Sequence, residues 1–272
     1  MHMAAGSPGA CVFMPDIFDS GIYWGVVAAM ACLAPVVFIC LQRITAGYGV
    51  MRTKAWGPAI GNRAGWVLME APAFAAMLAI WLCSPRRAEA APAVMALLFE
   101  LHYFQRSFIF PMLIRGRSKM PLSIIAMGVT FNAINAYMLG GWIFFVSPAG
   151  TYPTDWLWSP LFILGTIVFF CGMGINLHSD HIIRNLRRPG DTGHYIPRGG
   201  MYRYVSSANY LGEFVEWVGF AILTWSVAGA VFALWTFANL APRAGKLHER
   251  YLREFGREYA DLGRKRIIPF IY

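Results

Sequence analysis

The carboxyl group of Glu70 lies inside an apolar run, residues 64–85, that contains no other charged side chain. A charge at the middle of a membrane span costs about 2.5 to 3.5 kcal/mol, so such residues are functional by default. Trp66 and Phe74, four residues away on either side, share its face of a helix. An acid among apolar groups stays neutral and can donate a hydrogen bond. Glu70 is therefore either a catalytic hydrogen-bond donor or a carboxyl group that only packs against a neighbouring helix.

A second candidate is the phenol of Tyr103, which lies near the end of another apolar run, residues 91–105. The segment 101–106 reads LHYFQR and places this phenol beside the basic Arg106 at a helix end. An aromatic and a basic residue at a helix end often serve only as an anchor at the membrane surface. The residue types alone leave both interpretations of Tyr103 open.

A polar helical face follows the fifth apolar run. Asn176, Asp180, Arg184 and Arg187 are spaced i, i+4, i+8 and i+11, which places them on one side of a helix. Guanidinium groups bind phosphate through paired hydrogen bonds, and the Asn and Asp side chains suit a ribose. A solvated helix end is the alternative. The sequence has no GxGxxG after a strand and no GxxxxGK[ST] segment, so a nucleotide site here would be neither a Rossmann fold nor a P-loop.

Other kinds of site are not supported by the sequence. It has neither an HExxH nor a GxSxG motif, and its six histidines are scattered, so we expect no metal centre and no nucleophile elbow. The five cysteines form no CxxC pair, and we expect them to be small apolar side chains rather than disulfides. Residues 248–259 are typical of an amphipathic helix that either caps a cofactor or lies on a surface.

Long helices must hold these groups in a bilayer, because 57% of the 272 residues are apolar and only 14% are charged. A soluble domain carries about 25% charged residues, so an ordinary cytosolic enzyme is excluded. At about 20 residues per span, the apolar runs are 21–42, 64–85, 91–114, 121–148, 156–179 and 208–242, the last divided by a turn at 226–229. We predict an all-α polytopic membrane protein with seven transmembrane helices, in one domain that covers residues 1–272.

The basic residues orient this bundle. Most of them follow the first, third and fifth runs and fill the tail after Arg243, whereas the loop after the fourth run offers only Asp155. Arg86 and Arg87, after the second run, are the exception, and Glu89 offsets only part of their charge. By the positive-inside rule the basic side is cytoplasmic, so the N-terminus lies outside and the C-terminus in the cytoplasm. The net charge of +9 thus indicates a protein of the bilayer rather than one that binds nucleic acid. We expect a monomer in the endoplasmic reticulum of a eukaryote or the inner membrane of a bacterium.

From about residue 60 to the C-terminus, the sequence resembles the steroid 5α-reductase family. The matching strings are AGW at 64–66, EAPAF at 70–74, LHYFQR at 101–106, GMGINLHSD at 172–180, IPRGG at 196–200, YVS at 204–206, ANYLGE at 208–213, EW at 216–217 and IPFI at 268–271. The order and spacing of so many strings make the resemblance specific, while the first apolar run contributes little to it.

The resemblance implies a seven-helix enzyme that uses NADPH to reduce the Δ4 double bond of a 3-oxosteroid, with cytoplasmic loops and the C-terminal tail capping the cofactor. By position, Glu70 and Tyr103 are similar to the pair that holds the C3 carbonyl oxygen. Trp66 and Trp217 would line the steroid cleft. The implied cofactor site comprises Arg106, Arg117, Asn176, Asp180, Arg187, Tyr195, Asn209, Glu213, Arg243, His248 and Tyr251.

Three positions depart from the family pattern. Met69 stands where a Gln often precedes the family's Glu, and Gln105 replaces a common His. Leu247 occupies one of two adjacent His positions near the tail, so only His248 is carried over.

The implied chemistry agrees with the residue types. As C5 receives a hydride, negative charge develops on the C3 oxygen, where Glu70 and Tyr103 would donate hydrogen bonds in a dry cleft. C4 then takes a proton from water or through Tyr103.

The expected partners are a steroid or sterol-like lipid and the bilayer, with no metal. The alternatives are a related sterol or enoyl reductase, an isoprenylcysteine-type methyltransferase that uses S-adenosylmethionine, and a transporter or receptor.

Overall fold

The computed structural model describes residues 14–45, 47, 51, 53–116, 118–187, 191 and 193–272 and is mostly helical. The α-helices of the described residues are α1 (Met14–Ile17), α2 (Ser20–Arg43), α3 (Asn62–Cys83), α4 (Ala90–Phe104), α5 (Phe110–Leu113), α6 (Leu122–Gly141), α7 (Pro160–Asn185), α8 (Ala208–Thr224), α9 (Val227–Phe255) and α10 (Arg257–Ala260). A turn of π-helix joins α4 to α5 over Gln105–Ile109, and another extends α6 over Trp142–Val146. Short 3-10 helices lie at Lys54–Trp56, Thr154–Trp158 and Gly200–Arg203.

Four helices of the described residues are long and apolar enough to cross a membrane, namely α2, α3, α6 with its π-helical extension, and α7. A helical membrane protein is thereby supported in outline.

The chain is not strictly all-α, because strands β1 (Ala59–Gly61) and β2 (Lys119–Pro121) pair antiparallel, with Ile60 opposite Met120. These three-residue strands join two loops and are too short to show an alternating pattern in the sequence. Cys83 is disulfide-bonded, so the expectation of an apolar thiol is wrong for that residue.

Capping residues account for the helix limits that differ from the predicted runs. Ser159 caps α7 by accepting a hydrogen bond of 3.1 Å from the backbone of Phe162, so the helix begins after the predicted residue 156. It then continues to Asn185 and carries Asp180 within it. The break in the last apolar stretch lies at Trp225, whose φ is 44°, and Ser226 caps the next helix. From there α9 runs without interruption through Pro242 to Phe255.

Helices α7 and α8 pack with their backbones in direct contact, because glycines face one another across the interface. A Cβ atom built on Gly172 would lie 2.7 Å from the carbonyl oxygen of Gly212, and one built on Gly212 would lie 2.7 Å from that of Gly172. Gly165 and Gly219 repeat this arrangement two turns away, again at 2.7 Å in both directions. Small residues permit such close approach between membrane helices. The contact brings the polar ends of α7 and α8 together.

The C-terminal tail folds back on the end of the bundle where α7 and α8 carry their polar residues. Ser206 donates a backbone hydrogen bond of 2.8 Å to the carbonyl of Lys265, which in turn donates one of 2.9 Å to Tyr204. Ile196, Tyr251 and Tyr259 form a separate buried cluster beneath this connection. The second half of α9 and the segment after it therefore cover the polar ends of α7 and α8.

Candidate active site

One cavity of about 1900 Å³ extends from the middle of the helical bundle to its polar end. Its apolar walls come from α2, α3, α6 and α9, and its charged end comes from α7, α8 and the second half of α9. Twelve of the predicted site residues line it: Trp66, Glu70, Tyr103, Arg106, Asp180, Arg187, Tyr195, Asn209, Glu213, Trp217, Arg243 and Tyr251. Residues that are up to 185 positions apart in the sequence thus share a single space.

At the inner end of the cavity, Glu70 and Tyr103 are connected through one side chain. Asn132, on α6, donates hydrogen bonds to Glu70 Oε2 at 3.1 Å and to the carbonyl oxygen of Met69 at 2.7 Å. Its own oxygen accepts a hydrogen bond of 3.2 Å from the Tyr103 hydroxyl, which also accepts one of 2.9 Å from Asn135. Tyr103 is only 3% exposed. A carboxyl group and a phenol are therefore fixed side by side in an apolar surrounding.

The two predicted tryptophans contact different polar residues of the cavity, Trp217 the phenol of Tyr103 and Trp66 the guanidinium of Arg106. The Trp217 ring centroid is 5.9 Å from that of Tyr103 and 4.5 Å from that of Phe232. Trp66 lies under the guanidinium of Arg106, whose Cζ is 4.7 Å from the indole centroid. The same guanidinium is 4.6 Å from the centroid of the Phe110 ring, so it contacts two aromatic residues whose rings also meet edge to face.

Arg106 also begins a network of charged and amide groups that leads toward the polar end. Its guanidinium forms ion pairs with Glu213 at 3.1 Å and with Asp180 at 3.7 Å. Asn209 donates a hydrogen bond of 3.3 Å to Asp180 Oδ1, and its backbone carbonyl accepts one of 2.9 Å from Asn176. The close α7–α8 packing brings these side chains together. Asn176 is thus placed behind Asn209 and does not line the cavity.

The outer end of the cavity is formed by the tail and the loop after α7. Arg243 donates a hydrogen bond of 2.7 Å to the Tyr210 hydroxyl, and Tyr195 donates one of 2.8 Å to Asp191. The backbone of Gly193 also donates to Asp191, and together these bonds lower the pKa of its carboxyl group. An ionised Asp191 therefore holds the Tyr195 ring at the cavity mouth.

His248 is the remaining predicted cofactor residue that the structure locates. It is not among the residues that line the cavity, and its Nδ1 lies 2.7 Å from the hydroxyl of Ser206, which does line it. Burial and the neighbouring Arg266 lower the pKa of this imidazole, which keeps the ring neutral. Arg117 lies outside the described residues, so the structure does not locate it.

Sequence reasoning missed four polar residues of the site. Asn132 and Asn135 stand three residues apart in an apolar run without charges, and this spacing was the available signal. His102 and Glu216 lie within family-matching strings, but no role was assigned to them. In the structure His102 Nδ1 is 2.8 Å from Glu216 Oε1, and both side chains are buried. All four groups are polar residues in apolar segments, a pattern that indicates functional or paired side chains.

The charged end has the donors and acceptors that a dinucleotide requires. Arg184, Arg187 and Arg243 present guanidinium groups to the cavity, which suit phosphates. Asp180 Oδ2 and the Ser207 hydroxyl are buried without a hydrogen-bond partner among the described residues, and both residues line the cavity. A carboxylate oxygen and a hydroxyl of this kind suit hydrogen bonds to the ribose hydroxyls or the carboxamide of a nicotinamide nucleotide. The described residues contain no cluster of three or more His, Cys, Asp or Glu side chains that could hold a metal ion.

Comparison with known proteins identifies the family. The profile of the family described as 3-oxo-5-alpha-steroid 4-dehydrogenase matches residues 118–272. The chain is 44% identical to 3-oxo-5-alpha-steroid 4-dehydrogenase 1 of Homo sapiens, over 77% of this chain and 80% of that protein. It is 41% identical to the type 1 protein of Mus musculus, over 88% and 92% of the two chains. It is 40% identical to the type 2 protein of Homo sapiens, over 83% and 88%. The chain therefore belongs to the 3-oxo-5-alpha-steroid 4-dehydrogenase family of enzymes.

Proposed function

We propose that this enzyme uses NADPH to reduce the Δ4 double bond of 3-oxo-Δ4-steroids to the 5α-reduced 3-oxosteroids. The observation that carries the proposal is the juxtaposition, in one cavity, of Glu70 and Tyr103 at the apolar end with an arginine-rich polar end. The names of the relatives support a steroid substrate. A flat apolar substrate fits the aromatic walls, and a charged dinucleotide fits the polar end.

The carbonyl oxygen at C3 is the atom that the protein must recognise. Asn132 donates to Glu70 Oε2, which leaves the other carboxyl oxygen of Glu70 to carry a proton toward the substrate. The Tyr103 hydroxyl is fixed beside it and exchanges an asparagine partner for the substrate oxygen. Two neutral donors in a water-excluded site stabilise the negative charge that develops on this oxygen during reduction. Glu70 and Tyr103 therefore lower the barrier to hydride addition at C5.

At the polar end, NADPH would be held by Arg106, Asp180, Arg187, Asn209, Arg243 and their neighbours. When bound, it supplies the hydride. The arginines offer paired hydrogen bonds to phosphates, including a 2′-phosphate, which favours NADPH over NADH. Asp180 is positioned by Asn209 and Arg106 and can accept hydrogen bonds from a ribose or an amide. Trp66 and Trp217, which both line the cavity, would form part of the steroid cleft.

We also propose seven membrane spans, formed by α2, α3, α4 continued through α5, α6, α7, α8 and the first half of α9. The N-terminus lies outside and the polar end of the cavity faces the cytoplasm, where NADPH is available. The basic residues Arg184, Arg187 and Arg243 all belong to that end, which agrees with the positive-inside rule. A monomer is sufficient for activity, because a single chain supplies every group named above.

The decisive experiment supplies purified enzyme with NADPH and a panel of Δ4-3-oxosteroids, sterols and enoyl lipids, and identifies the products by mass spectrometry. We expect 5α-reduced 3-oxosteroids from the wild-type enzyme and a strong loss of product from Glu70→Leu. The nucleotide that co-purifies provides a second readout. NADP(H) supports the proposal, whereas S-adenosylmethionine would indicate a methyltransferase. Reduction of enoyl lipids but of no steroid would indicate a related reductase instead.

A further inference from the structure

The buried pair of His102 and Glu216 has no role in the mechanism described so far. His102 lies on α4 directly before Tyr103, and its Nδ1 is 2.8 Å from Glu216 Oε1 on α8. Glu216 is only 1% exposed, and His102 is its one hydrogen-bond partner among the described residues. A buried carboxylate is costly unless it is paired. Glu216 therefore directs the Nδ1–H of His102 toward itself and fixes the orientation of the ring.

The opposite edge of the imidazole faces the active-site cavity. His102 lines the cavity, and its ring centroid is 5.0 Å from that of Tyr103 and 4.6 Å from that of Trp217. Within the described part of the chain, the structure has no hydrogen-bond partner for His102 Nε2. A nitrogen that can carry a proton is thus presented beside the phenol and the indole that the substrate would contact.

Reduction of an enone needs such a group. Hydride addition at C5 leaves an enolate, and a proton must then form the new C–H bond at C4, which is bonded directly to the carbonyl carbon. The Tyr103 hydroxyl is needed as a donor to the carbonyl oxygen, and the hydrogen bond that it accepts from Asn135 holds it in that position. A second proton carrier next to Tyr103 would allow Tyr103 to keep its proton throughout the reaction.

We propose that His102 is the catalytic acid that protonates C4, with Glu216 as its positioning residue. This inference rests on the function proposed above. The N–H bond at Nε2 of the imidazolium breaks as the C4–H bond forms, and the enolate collapses to the ketone. The neutral imidazole keeps its Nδ1–H bond to Glu216. Water then returns a proton to Nε2 through the cavity, which continues past Arg106 to the partly exposed Tyr195 at its mouth.

The reverse proton step can be measured without any hydride transfer. A 5α-reduced 3-oxosteroid is incubated in D₂O with enzyme and NADP⁺, and deuterium at C4 is located by NMR and mass spectrometry. The C2 position, on the other side of the same carbonyl, serves as an internal reference. We expect wild-type enzyme to exchange C4 selectively. General acid–base catalysis contributes about 10²- to 10⁴-fold, so His102→Gln should lower C4 exchange by at least about 10²-fold while it still binds the cofactor.

Two comparisons keep this test interpretable. His181→Gln changes an exposed histidine of α7 that contacts Asn185 outside the cavity, and it should exchange C4 like the wild type. Glu216→Gln has nearly the same shape, and it should slow exchange because it removes the compensating charge. If His102→Gln does not fold, His102→Ala with added imidazole replaces it, and recovery of C4 exchange is expected.

The outcomes separate this inference from the proposed function. Unchanged C4 exchange in His102→Gln or in Glu216→Gln would overturn the role of the pair, even if the wild-type enzyme reduces steroids normally. No reduction of any Δ4-3-oxosteroid by the wild-type enzyme would instead remove the proposed function itself.

Discussion

The side-chain amide of Asn132 donates a hydrogen bond of 3.1 Å to Oε2 of Glu70, across the interface between α6 and α3. The same side chain accepts a hydrogen bond from Tyr103 on α4. Three helices thus meet at one amide, which sets the distance between the two groups proposed to bind the C3 oxygen. An asparagine suits this position because its side chain both donates and accepts, and because it adds no charge.

Asn132→Leu should therefore lower turnover by about 10- to 10²-fold, since small misplacements of catalytic groups carry costs of this size. NADPH binding should be retained, because the polar end of the cavity is unchanged. Single-turnover reduction and NADPH fluorescence on the same preparation provide the two measurements. Asn185→Leu, at the end of α7, is the matched control and should behave as wild type. Equal turnover in Asn132→Leu would show that Glu70 and Tyr103 do not need this bridge.

Glu70→Gln should retain more activity than Glu70→Leu, because an amide still donates a hydrogen bond and a leucine does not. Loss of one donor to a developing negative charge costs about 10²- to 10³-fold in turnover. The measurement is turnover at saturating steroid and NADPH. Glu89→Leu, which removes an exposed acid before α4, controls for the loss of a carboxyl group. Full activity in Glu70→Leu would exclude Glu70 from the mechanism.

Tyr103→Phe distinguishes a catalytic phenol from a membrane anchor by removing one oxygen atom. The ring contacts with Phe99 and Trp217 remain, so folding and cofactor affinity should be preserved. If the hydroxyl donates to the substrate, the single-turnover rate should fall by roughly 10²-fold. Tyr137→Phe, whose hydroxyl contacts the carbonyl of Ile17 outside the cavity, is the control. An unchanged rate in Tyr103→Phe would leave this residue with a packing role only.

The polar end of the cavity should distinguish NADPH from NADH. We expect Arg187→Ala and Asp180→Ala to weaken NADPH binding more than they lower turnover at saturating cofactor. The reason is that both side chains belong to the polar end of the cavity, where the nucleotide is proposed to bind. Titration of NADPH fluorescence measures the affinity directly. Arg198→Ala removes an arginine that pairs with Glu258 outside the cavity and should leave the affinity unchanged. Equal affinities for NADH and NADPH in the wild-type enzyme would contradict the phosphate assignment.

The contact between α7 and α8 should tolerate no added methyl group. Gly212→Ala places a Cβ against the backbone of α7 and should destabilise the fold by about 1 to 3 kcal/mol, the usual cost of overpacking. Gly174→Ala is the matched control, because a Cβ there meets no atom within 4 Å. Thermal unfolding in detergent compares the two. A melting temperature for Gly212→Ala equal to that of Gly174→Ala would show that the interface can open without loss of stability.

The sequence predicted the apolar helices well, because charge and hydropathy mark where a chain can enter a bilayer. Their pairing was not predictable in the same way. The role of Asn132 depends on the rotation of α6 against α3 and α4, and no local pattern specifies that rotation. His248 illustrates the opposite case, because its position in the sequence matched a cofactor site while the tail turns its ring toward Ser206. Contacts made between distant segments decide both positions.

The α9 helix is continuous and contributes residues to both ends of the cavity, so it fixes the distance between them. Trp235 donates a hydrogen bond of 2.6 Å to the carbonyl of Met30 on α2, and Arg243 donates one to Tyr210 eight residues later. At 1.5 Å per residue, the two positions are separated by about 12 Å along one rigid axis. Inserting one residue between them would rotate Arg243 by about 100° relative to Trp235. The spacing between the proposed steroid end and the proposed cofactor end of the cavity therefore depends on the rotation of Arg243 relative to Trp235 along a single helix.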